Sequence, residues 1–129
     1  MNLHPNQITN EVIGAAIEIH RTLGPGLLES AYQYCLAREL ALRGMPYQRE
    51  VWIDVDYKGI RIERAYRLDF LVARLVAVEV KAVQALTPID DAQLLTYLRL
   101  GGWSVGLLIN FNVPVLKDGI RRRVLNFPE

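Results

Sequence analysis

The chain has 129 residues, the length of one domain at roughly 100–200 residues per domain. Hydrophobic residues make up 51% and charged residues 22%, a composition that excludes wholesale disorder. The formal net charge of +1 excludes a protein that holds nucleic acid by overall charge alone, and a single cysteine excludes an internal disulfide or a cysteine-bound zinc. We therefore expect a single domain over residues 1–129.

Two helices are predicted at the start of the chain, because apolar residues recur there at three- and four-residue spacing. The first begins near Asn6 and ends at the Gly- and Pro-rich break at residues 23–26. The second ends at Gly44, and Pro46 prevents its continuation. The predicted apolar faces comprise Ile8, Val12, Ile13, Ala16, Ile17 and His20 in the first helix, and Leu28, Tyr32, Leu36 and Leu40 in the second.

Strand patterns follow, interrupted by one more helix. Alternating apolar residues over 51–57 predict a strand, and Lys58–Gly59 predicts the turn into the next one. Residues 68–72 are either a further strand or a continuation of that one, and Thr87 is a predicted helix cap. The remaining predicted elements are strands at 60–62, 75–83, 103–111 and 120–127 and a helix at 88–101. This order predicts one compact α/β domain.

The valine-rich run at 76–83 predicts a central strand that is covered on both faces. It carries Glu79 and Lys81, which lie two residues apart and therefore point to the same face of a strand. Charged side chains are rare in such strands unless they are paired or have a chemical task. The alternative interpretation is a salt-bridge pair at an exposed strand end.

The same two charges interrupt the longest apolar run of the chain, which is shorter than the about 18 residues of a membrane span. The first residues carry neither the basic nor the apolar region of a secretion signal. We therefore expect a cytoplasmic protein with no membrane partner.

Asp69 is an acid flanked by Leu68 and Phe70 in a predicted strand that precedes the Glu79 strand. If the two strands pair, the carboxylates of Asp69 and Glu79 come close together and repel each other unless a cation lies between them. Hard divalent cations such as Mg²⁺ favour oxygen ligands of this kind. The alternative is that Asp69 pairs with Arg67 or with an arginine of a neighbouring strand.

Four further polar residues are candidates with structural alternatives. Gln93 and Tyr97 are four residues apart and share a helix face, which suits contacts to phosphate oxygens or positioning of a lysine, but equally suits a half-buried helix edge. Glu29 lies in the first turn of its helix, where the helix dipole alone stabilises an acid. His20 lies on an apolar face, where a hydrogen-bonded core histidine is the more common case.

Gly26, Glu29 and Tyr32 form the pattern Gly-x-x-Glu-x-x-Tyr, and with it the chain resembles the GxxExxY proteins. These are small bacterial proteins within the PD-(D/E)XK nuclease-like superfamily. The resemblance implies a restriction-endonuclease-like α/β/α sandwich with a central mixed β-sheet. The segments that carry it are residues 13–20, 24–29, 79–82, 93–97 and 107–111.

The resemblance also implies roles for the candidate residues. Asp69 matches the acid of the Pro-Asp element, although Leu68 stands in place of the proline, and Glu79 and Lys81 match the Glu-x-Lys element. Glu29 is similar to the acid that the first core helix often supplies. Gln93 and Tyr97 resemble the Gln-x-x-x-Tyr element of RecB-type nucleases, and His20 is a possible addition to the site.

The implied function is that of a Mg²⁺-dependent nuclease, with Mn²⁺ as a substitute and DNA rather than RNA as the substrate. The implied metal ligands are Asp69, Glu79, the carbonyl of Val80, and Glu29. Lys81 is expected to orient or deprotonate the attacking water. The arginines at 61, 64 and 121–123 are expected at most to hold the phosphate backbone.

The competing hypothesis is a catalytically inactive module with the same fold that acts through a protein partner or as a homodimer. The shortness of the chain favours this hypothesis, because 129 residues leave little room for a DNA-reading subdomain. The presence of Asp69, Glu79 and Lys81 together favours the enzyme. Cys35 is expected to be a core residue without chemistry.

Overall fold

The computed structural model describes residues 3–125 and has the predicted order of elements: two helices, three strands, one helix and two strands. A short 3₁₀ turn at Leu116–Gly119 precedes the last strand. The end of the last predicted strand, residues 126 and 127, lies outside the described residues. The helices are α1 (Pro5–Leu23), α2 (Glu29–Leu42) and α3 (Pro88–Gly101), and the strands are β1 (Tyr47–Tyr57), β2 (Ile60–Val72), β3 (Val76–Lys81), β4 (Val105–Asn110) and β5 (Ile120–Val124).

The five strands form one mixed sheet in the order β1-β2-β3-β4-β5. Neighbouring strands are antiparallel except β3 and β4, which are parallel and are connected through α3. A parallel pair needs a crossover connection of this kind, because its strands start at the same edge of the sheet. Residues 68–72 continue β2 and do not form a strand of their own.

The sheet is covered on both faces, which makes the α/β/α sandwich that the sequence predicts. On one face α1 and α2 pack against alternate residues of β3, including Val78 and Val80. On the other face α3 packs through Tyr97 and Leu98 against Ala77 of the same strand. Burial from both sides explains why β3 reads as an almost continuous apolar run.

Two predictions of buried helix positions are wrong. Ile17 is 49% exposed, because the buried side of α1 is centred on residues such as Ala15 and Ile19 and Ile17 points away from them. Leu28 is 77% exposed, because its backbone is extended and it lies just before the first turn of α2. Within residues 3–125, none of the helices is both long and apolar enough to cross a membrane.

The start of α3 is fixed by the predicted cap. The Thr87 side chain accepts a hydrogen bond from the backbone N–H of Asp90, and the Asp90 carboxylate accepts one from the backbone N–H of Thr87 at 2.9 Å. The bond to the Asp90 carboxylate satisfies the N–H of Thr87, and the N–H of Asp90 is shared between the side chain and the carbonyl oxygen of Thr87. With this start, Leu94, Tyr97 and Leu98 are the buried residues of the helix.

Strand β2 changes the face that it buries at Asp69. Leu68 packs in the α3 layer and Phe70 packs in the α1–α2 layer, although residues two apart on a regular strand share a face. The ladder between β1 and β2 leaves out Asp69 and the residue opposite, Glu50, which has a left-handed backbone with φ 54°. The irregularity therefore lies at the acid that the sequence singled out.

Candidate active site

Asp69 and Glu79 lie where β2 and β3 stop pairing through their backbones. Phe70 and Val78 are the last paired residues in this direction. Beyond them, the backbone N–H of Asp69 donates to Glu79 Oε1 at 2.9 Å, and the backbone N–H of Val80 donates to Asp69 Oδ2 at 2.8 Å. Each carboxylate thus takes the place of a backbone acceptor on the opposite strand, and the two carboxylates face each other.

The two acids differ in how deeply they are buried. Glu79 is 6% exposed, and Asp69 is half-buried. The alternative pairing of Asp69 with Arg67 is not observed, because the Arg67 guanidinium lies 3.8 Å from the Glu50 carboxylate instead. The groups within hydrogen-bond distance of the two acids are therefore the backbone N–H groups of the facing strands.

Burial and mutual repulsion favour the protonated form of this pair. Burial raises the pKa of Glu79 to about 8, and the charge of Asp69 adds to the effect. Burial also raises the pKa of Asp69, whereas the hydrogen bond from the Val80 N–H opposes the rise. A cation placed between the two carboxylates would lower the pKa of both groups, because it stabilises their ionised forms.

Glu29, the third predicted acid, stands apart from this pair. It lies in the first turn of α2 and is exposed. Burial is the main cause of the raised pKa of Asp69 and Glu79, and the negative charge of Glu29 raises both further. Glu29 therefore lies close enough to interact with both acids. Within residues 3–125, however, no three His, Cys, Asp or Glu side chains are grouped closely enough to hold a metal ion. The structure brings together two of the three predicted acids.

Lys81 and Tyr97 lie within electrostatic reach of both carboxylates. The half-buried Lys81 carries a positive charge that opposes the burial-driven rise in the pKa of Asp69 and Glu79. Burial raises the pKa of Tyr97 to about 12, with smaller contributions from the charges of Glu79 and Asp69. Tyr97 therefore remains a hydroxyl donor near the acids. Gln93, one turn earlier on α3, is half-buried.

The sequence did not indicate Tyr66 as a neighbour of this site. Its ring centroid lies 5.5 Å from that of Tyr97, with the planes tilted by 50°, and its side chain is 39% exposed. The contact depends on the change of face at Asp69, which turns Tyr66 towards α3. A pattern of alternating residues carries no signal for such an irregularity.

His20 makes a structural contact on the other side of the sheet. Its Nε2 lies 2.7 Å from the backbone carbonyl oxygen of Val113, and since a carbonyl only accepts, Nε2 donates. This bond ties the end of α1 to the segment after β4. It agrees with the hydrogen-bonded histidine that was the structural alternative, and the part of His20 in catalysis stays a prediction.

The Gly-x-x-Glu-x-x-Tyr pattern stabilises the loop that precedes Glu29. The Tyr32 hydroxyl donates to the carbonyl oxygen of Gly24 at 2.6 Å and accepts from the backbone N–H of Leu27 at 3.2 Å. Its ring stacks on Phe111 with centroids 4.4 Å apart. Gly26 has φ 101°, which requires glycine. The pattern therefore fixes the start of α2 and with it the position of Glu29.

Asn110 is a structural residue of the site that the motifs did not indicate. It is 1% exposed at the end of β4, and its side chain makes two hydrogen bonds of 3.0 Å with the backbone of Val83. The backbone N–H of Phe111 also donates to the carbonyl oxygen of Lys81. These bonds hold the segment that follows Lys81. The available signal was an asparagine at the end of an apolar strand, where an unpaired amide would be unfavourable.

The donor set fits a hard divalent cation. Asp69 and Glu79 offer carboxylate oxygens from two adjacent strands, and the N–H of Val80 occupies only one oxygen of Asp69. Carboxylate oxygens are the ligands that Mg²⁺ and Mn²⁺ prefer. Two carboxylates do not complete the coordination sphere of such a cation, so water and the Val80 carbonyl would have to supply the remaining ligands.

Most of the arginines that were predicted to hold phosphate have partners within the chain. Arg61 donates to the Asp54 carboxylate at 3.0 Å. In β5, residues 121–123 contact both neighbouring layers: the first and third lie near Asp91 of α3, and the second donates to Asn6 of α1. They therefore connect the edge strand to both helical layers.

One comparison with known proteins gives a match. The family model described as the PD-(D/E)XK nuclease superfamily matches residues 6–123. No curated protein and no solved structure matches the chain. The matched segment contains both strands that meet at Asp69 and Glu79, and also α3. The narrower resemblance to the GxxExxY proteins stays a prediction.

Proposed function

The chain belongs to the PD-(D/E)XK nuclease superfamily, and from this premise we propose that it is a Mg²⁺-dependent nuclease that hydrolyses phosphodiester bonds in DNA. The observation that carries the proposal is the exchange of hydrogen bonds between Asp69 and Glu79 and the facing strands. It holds two carboxylates against each other in a buried place, which is unfavourable without a cation. Mn²⁺ is the proposed substitute.

The proposed metal ligands are Asp69 and Glu79, together with the backbone carbonyl of Val80. A divalent cation bound there would supply Lewis-acid polarisation of a phosphate oxygen and lower the pKa of nearby water. Glu29 is proposed to act through a water molecule, because it lies outside the close pair. Its exposed position at the start of α2 leaves room for such an arrangement.

The proposed chemistry of the chain itself centres on Lys81. A water oxygen attacks the phosphorus and gives up one proton to the solvent, the bond from phosphorus to the leaving oxygen breaks, and that oxygen takes up one proton from the solvent. Lys81 is proposed to orient the attacking water and to offset the negative charge that builds up on the phosphoryl oxygens. Its position on β3, two residues after Glu79, supports this role.

Gln93 and Tyr97 are proposed to position the lysine and the phosphate. Because burial raises the pKa of Tyr97 to about 12, its hydroxyl stays protonated at neutral pH and is able to donate a hydrogen bond to a bound phosphate. Gln93 lies on the same side of α3, one turn towards the helix start. His20 is proposed as a positioning residue through its bond to Val113.

The further proposals concern the whole chain. We propose that residues 1–129 form a single nuclease domain that acts in the cytoplasm, and that it is bacterial, as the resemblance to the GxxExxY proteins implies. The matched segment, residues 6–123, leaves only short ends outside it. The inactive module that acts through a partner or as a homodimer is not supported by any separate observation and is kept as an outcome of the test.

The test is single-turnover cleavage of single- and double-stranded DNA and RNA with Mg²⁺ or Mn²⁺. We expect cleavage of DNA by the parent and none by Glu79→Gln, with EDTA as the metal-free control. Cleavage that persists in Glu79→Gln would contradict the assignment of the site. A folded parent that cleaves no nucleic acid with either metal would contradict the proposed function and support the inactive module.

A further inference from the structure

A bulge distorts the outer half of the β1–β2 hairpin. Strand β2 pairs with β3 only over residues 70–72, so residues 51–68 extend beyond it as a two-stranded ribbon. Within the ribbon, the pairing shifts by two residues between the Ile53 and Val55 positions, so that residues 63–65 of β2 lie opposite the single residue Asp54 of β1. Arg64 at their centre has a left-handed backbone with φ 52°. Bulges of this kind redirect side chains.

Asp54 of the opposite strand holds the bulge in place. Its Oδ1 accepts a hydrogen bond from the backbone N–H of Arg64 at 2.8 Å, and its Oδ2 accepts from Arg61 Nη2 at 3.0 Å. The bond from Arg64 is the main reason why the pKa of Asp54 lies below its usual value, and the bond from Arg61 is the next. Arg61 is therefore committed to this carboxylate, but the side chain of Arg64 is left to point elsewhere.

The bulge brings two guanidinium groups onto one indole ring. The Arg64 guanidinium lies 5.5 Å from the ring centroid of Trp52, and that of Arg67 lies 5.7 Å from it. Arg67 is also the residue directly opposite Trp52 in the ladder. Trp52 is 48% exposed. We call these three residues the arginine–tryptophan cluster.

The cluster carries positive charge that the chain only partly neutralises. Within residues 3–125, no carboxylate lies within ion-pair distance of the Arg64 guanidinium. Arg67 lies 3.8 Å from Glu50, and both side chains of this pair are at least half exposed, so the pair is weak. A guanidinium stacked on an aromatic ring keeps its in-plane N–H donors free for an anion.

The two arginines of the cluster lie on the strand that carries one acid of the candidate active site. Arg67 precedes Asp69 by two residues on β2, a separation of about 7 Å along the strand. Arg64 lies three residues before Arg67, at the centre of the bulge. With one phosphate per about 3.4 Å of helix axis, the separation of about 7 Å between Arg67 and Asp69 corresponds to about two nucleotides.

We propose that the arginine–tryptophan cluster binds the phosphodiester backbone of the nucleic acid next to the bond that is cut. The inference rests on the proposed function and names the surface that holds its substrate. Arg64 and Arg67 supply the donors, Trp52 orients them, and Asp54 acts as a positioning residue through the bulge. The occupant is a polyanion, because both donors are cationic and lie on the strand that carries Asp69.

The test compares three substitutions that remove the same charge. Arg64→Gln and Arg67→Gln alter the cluster, and Arg74→Gln alters an exposed arginine at the opposite end of β2, in the turn to β3. Affinity for a fluorescent DNA oligonucleotide, single-stranded and as a duplex, is measured in Ca²⁺ over about 50–200 mM salt. We expect roughly 3- to 10-fold weaker binding for each cluster variant and a salt slope reduced by about one, with no change for Arg74→Gln.

Two further variants separate a phosphate contact from a structural role. Arg64→Lys keeps the charge, so we expect the salt slope of the parent. The affinity should stay below that of the parent, because an ammonium group is not planar and cannot stack on the indole ring as a guanidinium does. Trp52→Leu keeps both charges, and we expect weaker binding with an unchanged salt slope. Thermal unfolding of every variant shows whether the fold is retained.

The outcomes distinguish the two proposals. If the parent cleaves DNA but Arg64→Gln and Arg67→Gln bind DNA as tightly as Arg74→Gln does, the proposed role of the cluster is wrong. The proposed nuclease activity is then unaffected. If Arg64→Gln and Arg67→Gln bind more weakly but with an unchanged salt slope, a phosphate contact is excluded. If the parent neither binds nor cleaves nucleic acid, both proposals are overturned.

Discussion

Asp69 and Glu79 each bond to the backbone of the strand that carries the other, at 2.8 and 2.9 Å. The arrangement interrupts the antiparallel ladder between β2 and β3 and directs both carboxylates into the space between the strands. A buried acid, Glu79, beside a half-buried one, Asp69, favours the protonated state or a bound cation. The first predictions follow from this choice.

In the absence of metal, the stability of the protein should fall as the pH rises. Burial raises the pKa of Glu79 from 4.5 to about 8, so the folded state binds this proton more tightly than the unfolded chain does. Protonation therefore stabilises the fold below about pH 4.5, and this contribution is lost as the pH rises towards about 8. Thermal unfolding in EDTA across this range, in parent and Glu79→Gln, is the measurement. Glu79→Gln should flatten the slope, and an unchanged slope would contradict the assignment.

Binding of Mn²⁺ should depend on the two close acids more than on Glu29. Asp69→Asn removes a charge from the close pair and should abolish measurable binding in calorimetry. Glu29→Gln should weaken binding by about 10- to 100-fold, the range for groups that orient ligands through a second layer. Equal loss in the two variants would show that Glu29 is a direct ligand.

Lys81→Met should separate cleavage from binding. Methionine keeps much of the bulk of the side chain but not its charge, so the fold and most of the DNA affinity should persist. Single-turnover cleavage should fall by about 10²- to 10⁴-fold, the usual contribution of a group that handles a proton or stabilises developing charge. Lys117→Met, an exposed lysine in the turn before β5, is the matched control. A cleavage rate within a few-fold of the parent would remove Lys81 from the mechanism.

Tyr32→Phe tests whether the loop before α2 positions Glu29. The stack on Phe111 is retained, but the bonds to Gly24 and Leu27 are lost, and we expect a loss of about 1–2 kcal/mol in the free energy of unfolding. The pH dependence of cleavage should shift with it, because Glu29 contributes to the raised pKa of the site acids. A stability loss with an unchanged pH profile would limit Tyr32 to a structural role.

Cys35→Ala should leave cleavage within a few-fold of the parent. The Cys35 side chain is half-buried beside the core formed by α1 and α2, where a small polarisable group fills space. Its thiol belongs to a different helix face from Glu29. Complete loss of cleavage in a variant that unfolds at the parental temperature would contradict this interpretation.

The order of the elements followed from the sequence because each has a local signal. The cap at Thr87, the turn at Lys58–Gly59 and the stop at Gly44 all occur as predicted. The exposed positions of Ile17 and Leu28 did not follow, because spacing alone does not fix where a helix begins or which side meets the sheet.

The candidate site was only partly visible in the sequence. Spacing placed Glu79 and Lys81 on one strand, but the contact of Asp69 with the Val80 backbone depends on the strands parting after Phe70. The contact of Arg67 with Trp52 was not predicted, because the cross-strand pairing and the bulge at Arg64 depend on a register that no local pattern encodes.

The most direct test of the account is a crystal structure of the protein soaked in Mn²⁺, with the ion located by its anomalous scattering. The proposed metal site predicts one peak between Asp69 and Glu79, at roughly 2.0–2.2 Å from a carboxylate oxygen of each. A fully soaked crystal with no peak there, or with the ion bound elsewhere on the chain, would contradict it.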